Sequence, residues 1–557
     1  MLNSWFAIRA ISCGIHDDSR SLRYPVETKP QLFDQKRRGE STPLDFHWKS
    51  LSDQGQYRER NGGMSNREKP VEDGRDKDIN ILNLNHDFSS PRSLESPPLE
   101  IRGSHPHVLQ KAPHPGTMVL YAPGRTSTYP DEPPSSGLRF HYLGGGDEVG
   151  NVGLVLEDPS GTRLLLDYGL APTSPPRYPS EAPLVHDAVI THSHIDHLGM
   201  APWLCAQHRT RLHGTALTAQ LSDMMWRDTY KVSSIERYPL AWDKRDIDTA
   251  VDSWYVHEFG QSWKHHDWSL TLHPAGHIPG AAMLHITTPS TSVLITGDFD
   301  TRDSPLVNGA KPVKADVLFV EGTYGGRDHP PKEEEIGRFI EAVERVVRRG
   351  GTVLIPAFAN GRTQDVVMLL HDRLPWLNVH VDGMGKRVAK IHMDHQNMLR
   401  DGHALERAWR WAKQVGSKSD KKKALAADVI VTTSGMLNGG PALWYLNRLR
   451  NDGKNAIFFT GYQARDTGGR GLLDHQSIEI YGQRVEIQLE LEQFSFSTHA
   501  GHQEIIDFAK ECEAKHVVVY HTDPNHARPP LVVALEEQGH IVHQPKNGES
   551  HIIDDQS

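Results

Sequence analysis

From residue 138 onward the chain is a series of short apolar runs separated by glycine, proline or aspartate. The runs at 138–143, 152–157, 163–167 and 186–191 have the length and punctuation of strands. A helical stretch at 200–208 follows, and two further strand-like runs, 269–273 and 292–296, lead to His277 and Asp298. Beyond 326 the texture changes to helix–strand alternation. Over 333–349, Ile336, Phe339, Ile340, Val343 and Val346 fall on one helical face, and Gly350-Gly351 ends it. A strand at 352–356 and a helix from 363 come next, then strands at 379–382, 428–432 and 456–460. This alternation predicts an α/β unit with a parallel sheet. The tail from 491 returns to strands, with a helix at 502–514 and a strand at 516–520.

Residues 1 to about 135 show no such period and are rich in Ser, Pro, Asp, Arg and Asn, with Pro-Pro pairs at 97–98 and 133–134. Such a segment buries too little apolar surface to offset its ordering entropy, so 1–117 is expected to be a disordered extension, with Met118 as an alternative start.

At 557 residues the chain exceeds one simple core, and two or three domains are expected. The formal net charge of −10 gives no bulk support for a nucleic-acid partner, which would need a local basic groove. Three cysteines far apart in sequence leave neither a disulfide framework nor a cysteine zinc site, so histidine and aspartate must supply any metal ligands. No apolar run approaches the roughly 20 residues needed to span a bilayer. A soluble, cytoplasmic protein without a membrane partner is the expectation.

The densest chemistry follows the run at 186–191. His192, His194, Asp196 and His197 form the pattern His-x-His-x-Asp-His. Alternation at a strand end puts His192 and His194 on one side, and the turn brings Asp196 and His197 round. Imidazole nitrogen with carboxylate oxygen is the donor mix of a borderline-soft ion such as Zn²⁺. His277 sits in a turn fixed by Gly276, Pro279 and Gly280, and Asp298 ends an apolar strand. Asp167, closing Leu164-Leu165-Leu166, suits the orienting of ligand imidazoles.

Taken together, Asp167, His192-x-His194-x-Asp196-His197, His277 and Asp298 resemble the first four motifs of the metallo-β-lactamase superfamily. Glu321-Gly-Thr-Tyr-Gly325 resembles motif A of the β-CASP nucleases, Ser495-Phe-Ser-Thr-His499 motif B, and His521 after the strand 516–520 motif C. Gly322 stands where motif A usually has Ser, and Thr522 where motif C usually has Gly. The resemblance covers about 138 to the C-terminus and is nearest to the nuclease subunit of the cleavage and polyadenylation factor and its archaeal relatives. It implies an α/β fold, a metallo-β-lactamase αββα sandwich with an inserted α/β β-CASP domain. The implied parts are 138–325 and 491–557 for the sandwich and 326–490 for the insert.

The resemblance also implies two Zn²⁺ ions, one held by His192, His194 and His277, the other by Asp196, His197 and His521, with Asp298 between them. His499, paired with Glu321, would be the general acid. Arg362, Ser434, Lys386 and Arg387 are candidate phosphate contacts. A histidine at 521 points to the RNA-processing branch, so single-stranded RNA is the expected substrate, with a homodimer or an RNA-processing complex as the setting. A DNA nuclease, a small-molecule metallohydrolase and a non-catalytic scaffold are the competing classes. The insertion between Asp298 and His499 argues for a polymer rather than a small molecule.

Overall fold

The computed structural model describes residues 127–554 apart from Ser174. The expected disordered extension at 1–117 lies outside them. Two seven-stranded sheets form the first body. One runs, edge to edge, Ser550–Ile553, Leu138–Gly144, Gly153–Glu157, Arg163–Leu166, Asp187–Val189, Arg211–Gly214 and Trp254–Val256. The other runs Ile541–His543, His516–Tyr520, Val317–Glu321, Ser292–Ile295, Ala282–Thr287, Trp268–Pro274 and Ser262–His265.

Their packing follows from strand alternation. Leu138, Phe140, Tyr142, Leu154, Leu156, Leu164 and Leu166 face Leu270, Leu272, Leu284, Val293, Phe319 and Val518 of the second sheet. Phe140 meets Phe319 edge to face at 5.3 Å. The alternate residues turn outward under helices. Val155, Leu165, Ala188 and Ile190 are covered by Trp203, Leu204, Trp226 and Ile247. On the other side, Met283, Leu294, Leu318, Val320, Val517 and Val519 lie under Ile505, Phe508, Leu531 and Leu535. Each such side chain contributes roughly 1.5–3 kcal/mol of burial. The result is the αββα sandwich expected from the sequence.

A third, six-stranded sheet is parallel throughout: Lys413–Gln414, Val379–Asp382, Val429–Thr432, Val353–Pro356, Ala456–Phe459 and Glu490–Gln493. Both its faces are covered, which is why its central strands read as unbroken apolar runs. Its last strand, Glu490–Gln493, carries it three residues past the expected junction at 490. The chain then returns to the sandwich. Ser550–Ile553 pairs with Leu138–Gly144, and His516–Tyr520 with Val317–Glu321.

The 21-residue helix Ala216–Glu236 was not foreseen. Its face is broken by Ser222, Asp223, Arg227, Asp228 and Lys231, so it lacks a clean apolar stripe. It starts because Thr215 accepts the Thr218 amide at 3.2 Å. No helix among the described residues is long and apolar enough to cross a membrane.

Candidate active site

The carboxyl ends of the parallel strands deliver the site. Arg163–Leu166 runs parallel to Asp187–Val189, and Ser292–Ile295, Val317–Glu321 and His516–Tyr520 are mutually parallel. The loops leaving these ends therefore lie together, and they carry Asp167, His192–His197, Asp298, Glu321 and His521. Asp167 and His521 both sit in the left-handed region, at φ 54° and 48°, which turns their side chains sharply at the strand ends.

Three groups of donor atoms converge, each within 4.8 Å: His192, His194, His277 and Asp298; Asp196, His197 and His521; Asp298, Glu321 and His499. Asp298 belongs to the first and the third, and its Oδ1 also lies 3.3 Å from His197 Nε2 and 3.4 Å from His521 Nδ1. It is thus the hinge of the site.

The proton positions follow from the outer partners. The buried Asp167 carboxylate accepts from the Thr191 amide at 2.7 Å, the Thr191 hydroxyl at 2.8 Å and His197 Nδ1 at 2.8 Å. The Thr191 proton being committed, its oxygen can accept from His192 Nδ1 at 3.1 Å. His277 Nδ1 donates to the Thr498 carbonyl at 2.7 Å. Each of these rings, when neutral, therefore turns an unprotonated Nε2 inward. His194 Nδ1 lies 3.1 Å from His192 Nε2 and 3.2 Å from His277 Nε2. Lone pairs packed that closely require a cation or a shared proton between them.

The second group is equally unfinished. His197 Nε2, His521 Nε2 and Asp298 Oδ1 are buried with no hydrogen-bond partner. Such orphans are rare in folded proteins and point to a missing partner. The donor set fits a metal such as zinc, and Asp167 orients His197 in the manner of carboxylates behind metal-bound histidines.

The electrostatics agree at His192 and His277; at His197 burial opposes charge, but Asp298, Asp167 and Asp196 raise the ring well above the ordinary histidine value, so a metal ion there competes with a proton. Burial, then the neighbouring imidazoles, push His192 and His277 well below the ordinary histidine value, so both are neutral donors. Burial works against charge on Asp298, but His197, His521 and His499 hold it well below the carboxylate range. At His499 burial also opposes charge. Glu321 and Asp298 prevail and lift it to about 9, with Nδ1 donating to Glu321 Oε1 at 2.8 Å.

Of the expected phosphate contacts, Arg362 opens the helix Arg362–Arg373, within the field of Asp365, Tyr324, Asp300 and Arg302, and its buried Nε lacks a hydrogen-bond partner. Tyr324 in turn lies 6.1 Å from His499, ring to ring. Ser434 is half-buried in the loop after Val429–Thr432. The Lys386 ammonium bonds the Val415 carbonyl and lies 3.6 Å from Asp382, both within the insert. Arg387 is exposed on the same helix, where Asp228 feels its charge. Neither is brought to the cluster.

Several site residues escaped the sequence. Thr323 Oγ1 lies 3.1 Å from His521 Nδ1, the Thr498 carbonyl fixes His277, and Arg302 bonds Asp300 and the His499 carbonyl. Asn360 Nδ2 donates to Ser193 Oγ at 2.8 Å. Thr323 and Thr498 lie within the motifs that carry Glu321 and His499, whereas Arg302 and Asn360 act through contacts distant in sequence.

Comparison with known proteins places the converging donor residues, with Asp167, in matched regions. The family model for the metallo-beta-lactamase superfamily matches 145–357, that for the Beta-Casp domain 363–472, and that for the Zn-dependent metallo-hydrolase RNA specificity domain 484–529. The chain is 31% identical to RNase aCSPSF2 of Saccharolobus solfataricus, over 73% of this chain and 84% of that one. It is 31% identical to the Probable RNase MJ4 of Methanocaldococcus jannaschii, over 74% and 99%. Cleavage and polyadenylation specificity factor subunit 3 of Dictyostelium discoideum is 28% identical, over 70% of this chain and 54% of that one. A crystal structure of a protein of unknown function from Enterococcus faecalis V583 covers 75% of the chain at a TM-score of 0.50 and 12% identity, a likeness of fold alone.

Proposed function

This chain belongs to the β-CASP family of the metallo-β-lactamase superfamily, and from that premise we propose that it is a zinc-dependent ribonuclease acting on single-stranded RNA. The observation that carries the reading is the set of buried, partnerless donors, His197 Nε2, His521 Nε2 and Asp298 Oδ1, beside the converging nitrogens of His192, His194 and His277. We assign His192, His194 and His277 to one Zn²⁺ and Asp196, His197 and His521 to a second, with Asp298 shared. Two zinc ions held there supply a water activated as nucleophile near neutral pH and offset the charge on the phosphate oxygens.

The chain's own residues supply the rest. Asp167 and the Thr498 carbonyl keep the inward nitrogens of the neutral His197 and His277 rings unprotonated. Glu321 holds His499 by Nδ1, which frees Nε2 to give a proton to the ribose oxygen as its bond to phosphorus breaks. Arg362, a desolvated guanidinium with Nε unfilled, binds a phosphate near that bond. Residues 138–325 and 491–557 act as one catalytic body, and the insert roofs it. The RNA-processing names of the relatives and the match to an RNA specificity domain support RNA over DNA.

Replacing Asp196 and His197 together with Ala tests the core of the reading. Cleavage of labelled RNA disappears while the far-ultraviolet circular dichroism is kept. Full residual activity overturns it. Parallel assays on single-stranded DNA of the same sequence decide the substrate.

A further inference from the structure

The loop that leaves the central insert strand Val353–Pro356 reaches across to the sandwich at two consecutive residues. Asn360 is 4% exposed, and its carboxamide bridges two buried side chains. Nδ2 donates to Ser193 Oγ at 2.8 Å, and Oδ1 accepts from His392 Nε2 at 2.9 Å. Ser193 is the residue between His192 and His194. His392 belongs to the insert helix Gly385–Asp394, whose Val388 packs with Leu217, Leu221 and Met224 of the sandwich helix Ala216–Glu236. The next residue, Gly361, is at φ 84°, and a Cβ there would meet Ile278 Cγ2 at 2.8 Å. Ile278 follows His277. One loop of the insert thus touches both segments that carry His192, His194 and His277.

We propose that Asn360 is a positioning residue that makes the seating of the insert and the shape of the His192–His194 loop a single equilibrium. The consequence for metal rests on the metal reading of that loop given above. Asn360 touches no donor atom. It holds the hydroxyl between two donors, and its other end is fixed to the helix that docks the insert. Coupling of this kind is reciprocal. Zinc that orders the His192–His194 loop draws the insert down, and RNA that draws the insert down slows the loss of zinc.

Hydrogen exchange on the full chain tests the coupling without reference to metal. Asn360→Leu, close in volume, should speed exchange across 192–198. Ser193→Ala should speed it across 357–364 and 385–394. Changes confined to the segment that carries each substitution overturn the proposal. Should Asn360→Leu fail to fold, Ser193→Ala, which removes one oxygen, decides alone. In the zinc-loaded protein each substitution should speed zinc loss to a chromophoric chelator about tenfold, and the double variant should be no faster than Asn360→Leu, because the Asn360–Ser193 bond is the one both substitutions remove, the His392 bond being lost with Asn360 alone. Multiplicative effects count against the proposal. A wild-type chain that binds no zinc defeats the metal reading, while the exchange pattern still decides the coupling.

Discussion

Replacing Asp167 by Asn leaves every atom position nearly unchanged and reverses two hydrogen-bond directions. Asp167 Oδ1 must remain an oxygen, because it accepts the Thr191 amide at 2.7 Å. The new amino group therefore takes the place of Oδ2, facing the Thr191 hydroxyl and His197 Nδ1, each 2.8 Å away. The hydroxyl can rotate and accept. His197 can accept only if its proton moves to Nε2, the atom aimed at Asp298 Oδ1 3.3 Å away. Without metal the variant then satisfies its bonds, and its fold loses only the difference between charged and neutral acceptors, roughly 1–2 kcal/mol. Metal binding asks for the opposite tautomer, with two donors face to face. That forfeits one bond and strands a buried donor, about 2–4 kcal/mol together, or roughly thirty- to nearly a thousand-fold in affinity. Competition between the protein and a zinc chelator measures this directly. Thr191→Val removes the hydroxyl's bonds to Asp167 and to His192 Nδ1 but leaves the His197 tautomer alone, so it should weaken zinc less than Asp167→Asn does. A Kd within threefold of wild type in Asp167→Asn, with the fold intact, would refute the orienting role.

The remaining expectations concern separate parts of the molecule. His499→Ala and Glu321→Gln should each lower kcat by about 10²–10⁴ with zinc content unchanged, since neither is assigned as a ligand; loss of metal in either shows that the third donor group binds an ion. Arg362→Ala should raise KM for RNA about tenfold and flatten its salt dependence. It also leaves the buried Asp365 with Lys332 as its supporting cation, so a small loss of melting point should accompany the KM effect; a lowered melting point with unchanged KM marks Arg362 as structural. At the opposite ends of these strands, burial works against charge on Asp187, but His213, His265 and Arg211 hold its carboxyl well below the carboxylate range. A depressed folded-state value stabilises above the unfolded value near 3.9 and is lost as pH falls toward the folded one. Asp187→Asn should therefore cost about 2–3 kcal/mol at pH 7, less than a fully buried pair because Arg211 is 53% exposed. In urea titrations that gap should narrow below about pH 4, and a gap constant down to pH 3 contradicts the assignment.

The parallel insert was legible because strands covered on both faces need unbroken apolar runs. The expected strands 352–356, 379–382, 428–432 and 456–460 are found as Val353–Pro356, Val379–Asp382, Val429–Thr432 and Ala456–Phe459. Elements whose support comes from far away were not. Ser550–Ile553 alternates exposed with half-buried or buried positions, and its partner strand begins at Leu138. Ala282–Thr287 follows the glycines around His277, and the sequence pattern predicts no strand there. The same division runs through the site. His192, His194, Asp196 and His197 announce themselves by spacing, and the structure brings His277, Asp298 and His521 to them. Lys386 had the right chemistry in the right region, but a neighbouring carbonyl and Asp382 hold its ammonium. Asn360 bears no charge and belongs to no metal motif, so only its distance to Ser193 exposes it.

The position of the insert in the chain has a chemical consequence. The chain leaves the sandwich after Glu321 and re-enters before His499, so the two partners of the acid pair bracket the whole inserted sheet. Their 2.8 Å contact exists only while both crossings are held. The crossings are fastened to each other. Tyr324 bridges Gly501, His329 Nε2 donates to the His499 carbonyl, and Arg302 spans Asp300, the Ser497 and His499 carbonyls, and Glu504. These bonds fix the backbone of His499 without using its ring, which stays free for Glu321 on one nitrogen and a leaving oxygen on the other. A loosened insert should therefore disturb the acid pair through the backbone at 497–501 before it disturbs the donors on Asp298 and His521, whose strands belong to the sandwich alone. Arg302→Met should then lower kcat while zinc affinity holds, and a parallel loss of zinc would show that the two crossings also shape the metal donors.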